Sequence, residues 1–70
     1  MKQIPAVDVQ EGDALEFTHP LFGEMTTGVV IEIEKITNGS SIISKFAVKL
    51  SNNTIQHIQY RANGTVWKVE

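Results

Sequence analysis

Three Asn-led breaks punctuate the last two thirds of this chain: Asn38-Gly39, Asn52-Asn53 and Asn63-Gly64. Between them apolar and polar residues alternate, and no window shows the apolar spacing that an amphipathic helix requires. Asn and Gly tolerate the positive φ of tight hairpins, so the first two breaks read as hairpin reversals. The chain is therefore predicted to be all-β. Its strand candidates are roughly Asp13–Thr18, Thr27–Ile36, Ile42–Leu50, Thr54–Tyr60 and Thr65–Val69, with Arg61–Gly64 as a short link.

The same three asparagines begin Asn-x-Ser/Thr sequons. The N-terminal stretch MKQIPAVDVQEGD has no apolar segment of the kind a secretory signal carries, so the sequons are read as turn chemistry rather than glycosylation sites. No apolar run approaches the ~18 residues that a membrane-spanning helix needs. A cytoplasmic protein without membrane association is the expectation.

Seventy residues make a single small domain, with residues 1–12 as an N-terminal segment and 13–69 as a barrel. A chain this short hides only roughly 60% of its unfolded surface, and it has no cysteine to add disulfides or thiolate–metal sites. Tight hairpins, a compact core or association with a second chain must supply the stability.

Pairing can be tested on the sequence. A two-residue turn at Asn38-Gly39 sets Val29 opposite Val48, Ile31 opposite Phe46 and Ile33 opposite Ser44 on one face. On the other it sets Glu32 opposite Lys45 and Val30 opposite Ala47, an arrangement that cross-strand pairing favours. The next hairpin stays open. A two-residue turn at Asn52-Asn53 points His57 inward, whereas a three-residue turn points Ile58 and Tyr60 inward, and a bulge near His57 is a third solution.

The long loop from His19 to Thr26, two hairpins, a short link and a closing strand fit a five-stranded SH3-like barrel. An OB-fold is the rival, but it needs longer strands and a helix for which there is no room. The run EGDALEF…TTGVVIEIEK…SSIISKFAVKL…YRANGTVWKV resembles small bacterial SH3-like barrels, including KOW-type translation modules. It is also similar to the short YkvS-like proteins of Gram-positive bacteria, which end in a comparable aromatic-Lys-Val segment, here Trp67-Lys68-Val69. The resemblance implies the fold and carries no functional residue with it.

Catalysis needs a base, a partner and a water-excluding cleft. The chain has two histidines, His19 and His57, with no paired-His spacing, phosphate loop or nucleophile elbow, so no enzyme, metal site, cofactor or small-molecule substrate is expected. Charge is uneven. Residues 1–30 carry Lys2 against five acids, a net −4, while residues 31–70 carry five bases against three acids, a net +2. A basic-aromatic surface of Lys45, Lys49, Tyr60, Arg61 and Lys68 would suit RNA or DNA. Against it stand the overall charge of −2 and the neutralisation of Lys45 by Glu32.

Protein–protein binding or self-association is the leading expectation, through two sets of residues. The first is the loop His19, Leu21, Phe22 and Met25, where large apolar side chains border the barrel end, unless Leu21 or Phe22 tucks in to plug it. The second is an outward stripe of Val30, Ala47 and Ile58, which is either open to a partner or covered by Ile4, Val7 and Val9. A tryptophan in a closing strand, here Trp67, is more often core than surface.

Overall fold

A computed structural model describes residues 1–69. The elements are β1 Lys2–Pro5, a 3₁₀ turn Ala6–Asp8, β2 Ala14–Thr18, β3 Met25–Asn38, β4 Ser41–Leu50, β5 Ile55–Arg61 and β6 Thr65–Val69. They form one antiparallel, unclosed sheet of six strands in the order β1-β6-β2-β3-β4-β5. The all-β class and the five expected strands are present. The sixth comes from the N-terminal segment: β1 pairs along β6, with Ile4 opposite Val66, and Ala6 donates its N–H to Gly64 O at 2.9 Å. Ala6 and Val9 are core residues, so this segment completes the core beside β6 and does not cover a stripe elsewhere.

The register of the long hairpin differs from the expectation in two places. The reversal is Gly39-Ser40, with Asn38 opposite Ser41. Gly39 alone there has positive φ, +64°, which fits a turn needing glycine at its first central position, whereas an Asn-Gly turn of type I′ would need positive φ at both. Glu34 and not Glu32 therefore faces Lys45, and Ile33 faces Phe46. The second difference is a β-bulge at Ile31, an extra residue between the pairs Glu32–Ala47 and Val30–Val48. One inserted residue exchanges the two faces of a strand. Before the bulge the even residue Val30 points into the core; after it the odd residue Ile33 does. Val30 is 1% exposed, and its neighbours Val29 and Ile31 are 44% and 42% exposed.

The second hairpin takes the three-residue turn. Leu50 donates its N–H to Thr54 O at 2.9 Å, and Asn53 adopts φ +66°. Phe46 then faces Ile58 and Ser44 faces Tyr60, while His57 lies on the exposed side opposite Ala47. The core is built from Leu15, Phe17, Val30, Phe46, Val48, Ile58 and Val66 together with Ala6 and Val9. Gly28 lets β3 and β4 approach closely, since a Cβ there would lie 3.0 Å from Leu50 Cδ2 and 3.1 Å from Val48 Cβ. Burial pushes the Tyr60 phenol above its ordinary pKa.

Candidate binding surface

The stripe Val30–Ala47–Ile58 does not form on the outside. Val30 and Ile58 are buried in the core, moved there by the bulge and by the three-residue turn. Ala47 does sit on the outer face, between Glu32 and His57, but it is the floor of a small cleft walled by Glu32, Glu34, Lys45 and His57. The residue is 7% exposed.

A different apolar row takes the stripe's place. On the outer face Val69 pairs with Ala14, Ala14 with Val29, Val29 with Lys49 and Lys49 with Ile55, so the row crosses five neighbouring strands. Ile31 bulges out beside it, and Trp67, opposite Glu16, flanks it on β6. Val29, Ile31, Ile55 and Trp67 are all exposed. Four strand spacings of ~4.8 Å make such a row about 19 Å wide. The sequence signal for it was the run Val29-Val30-Ile31, three apolar residues where strict alternation allows two. Trp67 was expected in the core, but β6 turns Val66 inward instead.

The loop between β2 and β3 is organised by His19. Its N–H donates to Glu24 O at 2.7 Å, and its carbonyl accepts the Gly23 N–H at 2.9 Å, with Gly23 at φ +70°. The imidazole Nδ1 accepts the N–H groups of Leu21 at 3.1 Å and Phe22 at 3.4 Å, which assigns the ring proton to Nε2. Phe22 stacks on the ring with centroids 4.7 Å apart. The histidine is thus 9% exposed, and neither Leu21 nor Phe22 tucks in beneath the loop. Leu21 is 79% exposed, Phe22 72% and Met25 60%. The outcome is an apolar tip that is hydrogen-bonded at its backbone and open to solvent.

Tip and row are continuous. One groove runs between the tip and the β4–β5 turn, lined by His19, Phe22, Thr26, Leu50, Ser51 and Thr54. A second, more apolar groove lies against Val29, Ile31, Lys49 and the same Leu50 and Ser51. The two grooves share a wall.

The basic-aromatic set is not brought together. Lys45, Lys49 and Arg61 lie on the outer face, where Glu34 stands directly opposite Lys45 and Glu32 opposite Ala47. Tyr60 is on the core side, packed against Phe46 with ring centroids 6.0 Å apart. Lys68, opposite Leu15 on that same side, pairs with Asp13 at 3.5 Å. Asp13 also accepts the Gln10 N–H at 2.9 Å, so this pair braces the turn into β2. Among the described residues no group of three or more His, Cys, Asp or Glu side chains could hold a metal ion, and no helix is long and apolar enough to cross a membrane. No family model, curated protein or solved structure matches the chain.

Proposed function

We propose that this chain is a non-catalytic, protein-binding module of SH3-like type, with an added N-terminal strand, that grips its partner at the apolar tip. The observation that carries this reading is the loop itself: Leu21 and Phe22 are held out in solvent by a buried histidine that satisfies their backbone. Fixing large apolar groups in the binding conformation before contact lowers the ordering cost of association. Exposed apolar groups that cluster around grooves are the usual anchors of protein interfaces. The outer row Val29, Ile31 and Ile55 extends the same surface. The strand order of β6-β2-β3-β4-β5 and the long loop before β3 support the SH3-like part of the reading.

Nucleic-acid binding is the second reading, and the division of its five residues between two faces of the sheet weighs against it. The test joins two measurements. Immobilised protein is offered extract from its native host beside a Leu21→Ser/Phe22→Ser variant with unchanged circular dichroism. A protein retained by the wild type and lost by the variant is the expected result. Single-stranded RNA is titrated in parallel at two salt concentrations. Salt-sensitive RNA binding that disappears in Arg61→Ala would overturn the proposal.

A further inference from the structure

The two edges of the open sheet are unequal, and the difference lies in backbone atoms. On β1, Ala6 bonds to Gly64, so the even residues face β6 and the outward groups belong to Gln3 and Pro5. Proline has no N–H, and β1 is four residues long with Lys2 at its start. Such an edge is protected against pairing.

β5 is protected by none of these devices. It runs seven residues, has no proline, and carries its one formal charge at the end, on Arg61. The bonds Leu50 N–H to Thr54 O and Ala62 N–H to Ile42 O show that the even residues face β4. Ile55, His57, Gln59 and Arg61 therefore turn their N–H and C=O groups away from the sheet. The Gln56 side chain donates to the His57 carbonyl at 3.2 Å, as it can only if that oxygen points outward.

We propose that this edge pairs with the β5 edge of a second copy, antiparallel and centred on Ile58. This register alone overlaps all seven residues, and it sets outward residues opposite outward residues, as an antiparallel ladder requires. On the outer face His57 meets the partner's Gln59, and Ile55 meets the stem of the partner's Arg61. On the core side Ile58 meets the partner's Ile58, and Gln56 meets the partner's Tyr60. No like charges stand directly opposite, and the β-branched pair at the dyad continues the Phe46–Ile58 row of the core. A two-fold contact of this kind is closed, so association stops at the dimer. This inference uses different atoms from the apolar tip and shares only Ile55 with the outer row.

Sedimentation of the full chain between micromolar and millimolar concentrations tests it. A monomer–dimer equilibrium is expected. Gln59→Pro removes an outward N–H and no bond to β4, so it should keep the fold while weakening the dimer ~tenfold or more. The register has its own check. His57→Lys/Gln59→Lys and His57→Glu/Gln59→Glu variants should each be monomeric and should form a mixed dimer when combined. A wild type that stays monomeric throughout overturns the inference and leaves the apolar-tip reading intact. A dimer that survives Gln59→Pro but is lost in Leu21→Ser/Phe22→Ser also overturns it, assigning self-association to the tip.

Discussion

The two arms of β3 share a strand and the partner β4, yet they present residues of opposite parity to the core. In the arm before Ile31 the core residue is Val30, and Val29 lies outside; in the arm after it Ile33 packs inward, while Glu32 and Glu34 lie outside. A single unpaired residue makes the exchange. It lets one arm bury a valine against Val48 while giving its other apolar side chains to the surface, and lets the next arm keep its acids in water. The outer apolar row exists because of that exchange.

The comparison can be broken by deleting Ile31. The arms would then share one parity, so either Val30 or Ile33 must leave the core, at a cost of at least about 3 kcal/mol in urea unfolding. A smaller contrast compares neighbours of identical size. Val30→Ala should cost about 2 kcal/mol and Val29→Ala within ~0.5 kcal/mol, measured the same way. Gly28→Ala probes the close approach in the first arm. Leu50 Cδ2 can shift aside but the Lys49 carbonyl, 3.3 Å from the added methyl, cannot, so about 1–2 kcal/mol is expected.

The smallest effect concerns the far side of the second arm, where Tyr60 faces Ser44. Its phenol titrates above the ordinary 10.0 because burial disfavours the phenolate. The unfolded chain then releases this proton first. The stabilisation is complete below the unfolded pKa and is lost as pH rises from there through the folded value. Stability should fall above about pH 10 less steeply in Tyr60→Phe than in the wild type, as read from melting curves across that range.

Most of the fold was legible in the sequence. Asn and Gly positions gave the strand boundaries to within a few residues, because turn chemistry is local: φ at one residue decides it. Leu15 and Phe17 inward and Glu16 outward follow from simple alternation. Register was not legible in the same way. Whether the reversal uses Asn38-Gly39 or Gly39-Ser40 depends on the second central residue, and alternation is blind to a bulge by construction. The bulge moved Val30, and the three-residue turn of the second hairpin moved Ile58, from a surface stripe into the core. β1 was missed because Lys2 and Pro5 make a poor strand by propensity, and it forms only because β6 offers it a partner. The loop was legible as apolar, but its internal hydrogen bonding was not. That rests on His19 Nδ1 meeting two backbone donors, which depends on the loop's shape.

The central claim is that the apolar side chains at the tip and on the outer row, rather than those of the expected stripe, are the exposed ones. Methyl NMR with a soluble paramagnetic probe tests it most directly. The account predicts strong relaxation of the Leu21, Met25, Val29 and Ile31 methyls, with those of Val30, Val48 and Ile58 unaffected. Val30 or Ile58 methyls relaxed as strongly as Val29, or a Leu21 methyl shielded from the probe, would contradict it.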